Sequence, residues 1–212
     1  MTVAQRFETR FLLPGDQNVE LKKRLKNAGV NTVRYGEDDV TKLATLYWGT
    51  DLGVGEDYVR YRDYRREAIR LKDGIVIDTT VPAGVFEVKR AVGGMTFKDR
   101  IPGISIDVAT QKFAGILGDL RPVLGITSQR THYSDNEAEW RLTVDEDWNV
   151  WGIVEPKQPD SKLLLSLSDY LRVELKSLVR ERIEPMKNLL INLGGEQSTS
   201  KREEANEAYQ EF

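Results

Sequence analysis

The stretch Asp57–Arg66 reads DYVRYRDYRR and contains an Arg-x-Arg pair, Arg60 and Arg62. On an extended strand side chains alternate, so Tyr58, Arg60, Arg62 and Tyr64 share a face. Two guanidinium forks on one face would lie ~7 Å apart, from a rise of about 3.4 Å per residue. That spacing suits successive phosphoryl groups, which arginine grips bidentately. The plain alternative is a solvated edge strand with protective charges. The pattern recurs in Phe86–Arg100, FEVKRAVGGMTFKDR. There Glu87 and Lys89 fall on one face and Phe86 and Val88 on the other. Gly93-Gly94 is a turn signal, and the chain returns with Lys98 and Arg100 opposite Phe97. Further ionic faces carry Glu8 and Arg10, Arg130, Arg141 and Asp145, and Glu174 and Lys176, each opposite an apolar face. Such faces can bind a polyanion, and their carboxylates can hold a hard divalent cation.

Those residues must be positioned by strands. Val3–Leu13 alternates and predicts a strand ending at Pro14-Gly15, with Asp16 as the N-cap of a helix striped by Leu21, Leu25 and Ala28 and closed by Gly29. Arg34–Asp39 is loop-like. Val40–Trp48 reads as a strand stopped by Gly49-Thr50-Asp51. Arg70–Thr80 reads as a hairpin around Lys72-Asp73-Gly74, and Pro102-Gly103 stops the one that follows. Asp107–Asp119 reads as one helix, with Val108, Phe113, Ile116 and Leu117 apolar. Arg121–Tyr133 and Glu139–Asp147 read as strands about a Ser134-Asp135-Asn136 turn, with Trp148–Val154 as a short continuation. The second of them places Arg141, Thr143 and Asp145 together. Pro156–Pro159 reads as a polar linker inside the domain. Leu171–Leu175 resumes alternation, with Arg172, Glu174 and Lys176 sharing a face. Ser177–Leu193 reads as a helix broken or kinked at Pro185. Residues 1–193 form one expected domain, and the charged segment 194–212 is expected to be a disordered tail or a marginal helix.

Composition narrows the chemistry. The chain has 212 residues, 40% hydrophobic and 31% charged, enough for a core beneath an ionic surface. Lysine and arginine number 31 against 34 acidic residues, a net charge of -3. That balance argues against nucleic acid as the main ligand, though not against one concentrated basic site. No cysteine is present, which excludes disulfides, thiolate zinc and a cysteine nucleophile. A single histidine, His132, makes a histidine metal cluster or a Ser-His-Asp relay improbable. His132 shares a face with Arg130; a surface histidine at a strand end is the simpler reading and a minor ligand the other. No signal-like core and no 18-residue apolar run occurs, so a cytoplasmic protein without a membrane segment is expected.

The expected fold class is α+β: a closed antiparallel barrel of about eight strands forming a charged tunnel, with helices packed outside. Bare charges crowded in a dry core would be costly. A wet channel holding a polyanion and a metal would remove the conflict. The inverse arrangement, apolar inside and charged outside, is an ordinary sandwich, and periodicity alone does not choose between them.

In order along the chain, FETRFLL, LYWGT, YVRYRDYRR, FEVKRAVGGMTFKDR, RPVLGITSQRTHY, WRLTVDED and LRVELK resemble the VTC-type polyphosphate polymerase domain of the triphosphate tunnel metalloenzyme (CYTH-like) superfamily. The resemblance covers roughly Phe7–Leu190. It implies a β-barrel tunnel binding a triphosphate with Mn²⁺ or Mg²⁺, and transfer of the γ-phosphate of ATP to polyphosphate. Related members hydrolyse triphosphates or cyclise ATP. By motif it implies Arg60, Arg62, Lys89, Lys98, Arg130 and Arg141 as phosphate ligands, with Arg10, Arg100 and Lys176 as further substrate-binding cations. Glu174 is the first metal-ligand candidate, then Glu8 and Glu87, then Asp145. Glu8-Thr9-Arg10 follows Arg6 and not a second glutamate, so the E-x-E-x-K signature of the hydrolases is incomplete. That departure leans the resemblance toward polymerases. A hydrolase is the second expectation, and a non-catalytic polyphosphate or inositol-phosphate binding module the third.

Overall fold

Alternation in the sequence becomes antiparallel pairing in the computed structural model, which describes residues 7–33, 40–63, 69–71, 74–76, 84–92, 95–134, 140–154, 161–177 and 179–211. In chain order the elements are β1 (Phe7–Pro14), α1 (Asn18–Asn27), β2 (Asn31–Thr32), β3 (Val40–Gly49), β4 (Tyr58–Asp63), β5 (Ile69–Leu71), β6 (Gly74–Val76), β7 (Gly84–Val92) and β8 (Met95–Ile104). Then come α2 (Ile106–Lys112), α3 (Ala114–Leu117), β9 (Arg121–Ser134), β10 (Trp140–Ile153), β11 (Ser161–Leu167), β12 (Tyr170–Ser177), α4 (Ile183–Asn192), β13 (Glu196–Gln197) and α5 (Lys201–Gln210). The chain divides into two compact units: Met1–Thr41, Gln129–Trp148 and Leu167–Ser200; and Lys42–Ser128, Asn149–Ser166 and Lys201–Phe212.

In the first unit the strand order is β13-β1-β12-β10-β9. One face is apolar. Phe11 and Leu13 of β1, Leu142 and Val144 of β10, and Leu171, Val173 and Leu175 of β12 are buried there. Two helices cover it, because each carries a helical stripe: Leu21 and Leu25 on α1, and Ile183, Met186 and Leu190 on α4. Each fully buried side chain of this kind contributes roughly 1.5–3 kcal/mol before the ordering cost is subtracted.

The second unit repeats the scheme. Its strands run β9-β3-β4-β7-β8, with β11 beside β10. Leu46, Trp48, Val59, Tyr61, Phe86 and Val88 form the apolar face, under Ile106 and Ala109 of α2 and Leu117 of α3. The Ser105 side chain caps α2 by accepting from the Val108 amide at 3.3 Å. The close sheet also explains Gly84: a Cβ there would stand 2.0 Å from the Tyr61 ring. That ring lies flat enough for its hydroxyl to donate to the Ile104 carbonyl at 3.1 Å.

Several expectations change. The closed barrel is not formed among the described residues: the pairing order is an open path from β13 to β8. Part of the free edge of β1 is taken instead by β13, Phe11 opposite Gln197 and Leu12 opposite Glu196. α+β, a mostly antiparallel sheet with a few helices, remains the class. Asp16 does not cap α1; it lies in a 3-10 turn, where its carboxylate accepts from Gln17 Nε2 at 3.3 Å. Pro102-Gly103 does not stop β8, which runs on to Ile104, because an edge strand tolerates a missing amide. The helix expected over 107–119 is two, divided at Phe113, whose ring stacks on Phe86 at 4.7 Å. Pro185 breaks nothing. It sits in the first turn of α4, where its missing N–H would have had no helical partner.

Over 201–210 the charged segment is helical, the second of its two expected states. This is α5, fastened to the segment after β3: Arg202 Nη1 donates to the Val54 and Gly55 carbonyls at 3.2 and 2.8 Å, and Gln210 Nε2 to the Leu52 carbonyl at 2.9 Å. The hairpin expected around residues 72–74 is present as β5 paired with β6. The loop Arg34–Asp39, the turns at Gly93-Gly94 and Asp135-Asn136, and the linker Pro156–Pro159 lie outside the described residues.

Candidate functional site

Each unit turns its second sheet face to charged side chains. In the second unit three strands align them in rows. Arg60 of β4 stands opposite Glu87 of β7, and Glu87 opposite Arg100 of β8. The next row is Tyr58, Lys89 and Lys98, and Arg62 lies opposite Val85 on the other side. Strand pairing therefore brings Arg60, Arg62, Lys89, Lys98 and Arg100 onto one face with a single carboxylate. Arg60 is buried and ion-paired to Glu87. Its Nη1 donates to the Tyr47 hydroxyl at 3.4 Å, and its guanidinium lies 5.2 Å from the Tyr58 ring centre. Lys89 Nζ reaches the same ring at 5.1 Å. Tyr47 and Tyr58 meet edge to face at 5.6 Å. Arg100 Nε donates to Glu87 Oε2 at 2.6 Å while most of its side chain stays exposed.

Burial alone would push the Glu87 carboxyl up, but the guanidiniums of Arg60, Arg62 and Arg100 hold it below its ordinary value. Burial likewise opposes the Arg60 charge, and Tyr47, Tyr58 and Glu87 more than compensate, so Arg60 stays protonated.

The face of the first unit is built differently. Register places Glu8 opposite Lys176, Arg10 opposite Glu174, Arg141 opposite Lys176, Thr143 opposite Glu174 and Asp145 opposite Arg172. Arg10 pairs with Glu8 and, at 3.4 Å, with Glu174; Lys176 Nζ meets Glu174 Oε2 at 2.7 Å and Glu8 Oε2 at 3.4 Å. Two carboxylates and two cations thus alternate in one cluster. Burial first, and then the like charge of Glu174, raise the Glu8 carboxyl above its ordinary value. Two crowded carboxylates are a donor set suited to Mg²⁺ or Mn²⁺, which keep waters and take phosphate oxygens for the remaining positions. Among the described residues no group of three or more acidic, histidine or cysteine side chains is placed to hold a metal.

Other expected site residues fall elsewhere in this unit. Arg130 donates from Nε and Nη2 to the two oxygens of the fully buried Asp145, at 2.8 and 3.1 Å. Both Asp145 oxygens therefore face the Arg130 guanidinium. Arg141 is exposed on the same face. His132, two residues before the end of β9, shares a hydrogen bond through Nδ1 with Thr143 Oγ1 at 3.2 Å.

Sequence reading did not single out Tyr47, the Tyr58 ring as a cation platform, or Arg172. The fully buried Arg172 lies over Trp148 at 5.5 Å and donates to the Thr199 carbonyl at 2.7 Å. The two tyrosines were legible only through pairing: Tyr47 is opposite Arg60, a relation the register supplies and local alternation does not.

No family profile and no curated protein matches the sequence. Solved structures do. A "putative adenylate cyclase" from Vibrio parahaemolyticus is similar over 94% of this chain and 97% of its own, with a TM-score of 0.54 at 9% identity. A chain of the Schizosaccharomyces pombe Mediator head module gives 0.52 at 9% identity, over 89% and 96%. The PH1012 protein of Pyrococcus horikoshii OT3 gives 0.50 at 10% identity, over 89% and 90%. Likeness at these identities is a likeness of fold. No helix among the described residues is long and apolar enough to cross a membrane.

Proposed function

We propose that this chain is an enzyme acting on triphosphates, a polyphosphate polymerase that moves the γ-phosphate of ATP onto a phosphate chain. The observation that carries the reading is the row structure of β4, β7 and β8, which assembles five cations around one carboxylate. Arg62, Lys89, Lys98 and Arg100 would contact nonbridging phosphate oxygens, and the buried Arg60 would add its charge from beneath. Phosphoryl transfer needs positioning and charge neutralisation more than a protein nucleophile, which fits a chain without cysteine and with one histidine. In the first unit Arg10, Arg130, Arg141 and Lys176 are the corresponding cations. Within that unit Glu8 and Glu174 would hold Mn²⁺ or Mg²⁺, which when bound supplies charge neutralisation to a phosphate group beside them. The resemblance of the ordered motifs to VTC-type domains favours transfer over hydrolysis. Hydrolysis of a triphosphate in the same site is the second reading.

A third reading has separate support. The same fold occurs in a chain of the Mediator head module, and every described carboxylate of the two clusters already has a cationic partner. A polyanion-binding module without turnover would need nothing more.

Incubation of the purified protein with ATP and Mn²⁺ or Mg²⁺, followed by ³¹P NMR, separates these. Internal-phosphate resonances growing with ADP are expected. Orthophosphate alone would make it a hydrolase, and binding without turnover a module. Glu174→Gln should raise the metal concentration needed for half-maximal turnover; an unchanged metal dependence would remove Glu174 from the metal site.

A further inference from the structure

The triphosphate reading leaves open what Glu87 does, since a glutamate among phosphate-binding cations is a natural metal-ligand candidate. Three observations place it otherwise. Its two oxygens face two arginines: Oε2 accepts from Arg100 Nε at 2.6 Å, and the buried Oε1 is ion-paired to Arg60 without a hydrogen bond. These three side chains form one row across three adjacent strands, so backbone pairing fixes their order. And among the described residues of β4, β7 and β8 no second carboxylate shares the rows: Asp99 lies opposite Val88 and Asp63 opposite Gly84, both on the apolar register.

The row is also asymmetric. Arg60 is 6% exposed, with Tyr47 and Tyr58 against its remaining sides. Its Nε is buried and makes no hydrogen bond. The Arg100 side chain is 56% exposed and meets Glu87 through Nε, leaving its Nη nitrogens to a ligand. A cation entering at Glu87 would have to displace two guanidiniums and sit among five positive charges.

Building on the triphosphate reading, we propose that Glu87 is a positioning residue: braced by buried Arg60, it fixes Arg100 in the orientation that takes a phosphate oxygen, and it binds no metal. Anion binding by this face is then independent of divalent metal, whereas turnover is not. Arg100, and not Arg60, makes the contact in this row.

The test uses the full chain, with inorganic tripolyphosphate as the probe. Binding is measured by calorimetry in EDTA, and turnover as a function of Mn²⁺. Wild type should bind in EDTA. Glu87→Gln and Arg100→Met should each weaken that binding about tenfold or more, and the double variant should be no weaker than Arg100→Met alone, because Glu87 acts through Arg100. The Mn²⁺ concentration giving half-maximal turnover should be the same in Glu87→Gln as in wild type. A raised half-activating Mn²⁺ with unchanged binding in EDTA makes Glu87 a metal ligand and overturns the proposal. Additive losses in the double variant overturn it as well. If Glu87→Gln does not fold, Arg100→Met and Arg60→Lys decide: a loss confined to Arg60→Lys reverses the assigned roles. Wild-type binding in EDTA with no turnover of any triphosphate refutes the enzyme reading and leaves the row intact. Turnover with Mn²⁺ but no binding in EDTA does the reverse.

Discussion

The two ionic faces use the same strand geometry toward opposite electrostatic ends. In the first unit the Glu8, Arg10, Glu174 and Lys176 cluster alternates sign, so each charge is half-solved by its neighbours. In the second unit Arg60, Arg62, Lys89, Lys98 and Arg100 share a face with Glu87, so among the described residues of β4, β7 and β8 cations outnumber carboxylates there. A balanced cluster can exchange its internal partners for a metal and a phosphate. A surplus cluster attracts an anion before anything else binds. The carboxylates report the difference: Glu8 is raised and Glu87 is lowered, although burial acts upward on both.

The comparison breaks most visibly at the buried pair of the first unit. Arg130→Met leaves fully buried Asp145 without its bidentate partner. Removing one member of a buried pair costs about 3–5 kcal/mol, so a large drop in the urea midpoint is expected. On the second face Arg62→Met should instead leave the midpoint within about 1 kcal/mol of wild type, as for partly exposed ion pairs. Its turnover should fall about 10²-fold, the usual cost of one charge-stabilising donor. If the two variants behave alike in both assays, the faces are not functionally distinct.

Acid titration of stability sharpens the contrast, because the two glutamates slope in opposite directions. The folded Glu8 carboxyl lies above the ordinary 4.5, so the folded state holds a proton that the unfolded state has released. Stability from Glu8 is therefore largest below 4.5 and falls as pH rises through its folded value. Glu87 lies below 4.5 when folded, so its contribution is complete above 4.5 and is lost as pH falls through the folded value. Denaturant midpoints measured between acid and neutral pH should show Glu8→Gln removing a decline toward neutral pH, and Glu87→Gln removing a decline toward acid. Equal slopes in the two variants would mean that the surroundings of the carboxylates are alike.

How much of this was written in the sequence follows from the range of each signal. The period-two faces were legible, because alternation is local: Arg60 with Arg62, Glu87 with Lys89, and Lys98 with Arg100 lie as read. The hairpin of β7 and β8 was legible too, though its register was not. Barrel closure was not, since no local pattern says which edges meet. The role of Glu87 was hidden for the same reason. Alternation marks it as ionic, and only pairing of β7 with β4 and β8 together shows that arginines flank it on both sides. Asp145 was marked by alternation as one carboxylate of an ionic face, and only the fold shows Arg130 set against both its oxygens. Sequence left the charged tail between disorder and a marginal helix because the partners that hold it are backbone carbonyls some 150 residues earlier, as in the separation of 152 between Asn206 and Val54.

That tail offers the smallest test, and it concerns the second unit alone. Asn206 Nδ2 donates to the Val54 carbonyl at 2.7 Å, and the Val54 amide donates back to Asn206 Oδ1 at 3.0 Å. One side chain thus serves both groups of a buried residue. Gly53 next to it has φ +92, and a Cβ there would stand 2.8 Å from Asn206 Oδ1. Each hydrogen bond is worth about 0.5–1.5 kcal/mol net, so Asn206→Ala should cost about 1–2 kcal/mol in urea unfolding. Glu207→Ala, exposed on the same helix, should stay within about 0.5 kcal/mol. Turnover of folded Asn206→Ala should match wild type, because the Asn206 side chain bonds Val54, outside β4. A fall in kcat with unchanged stability would instead make the β3–β4 segment part of the anion site, and the surplus of positive charge would no longer be the whole of what distinguishes the second face from the first.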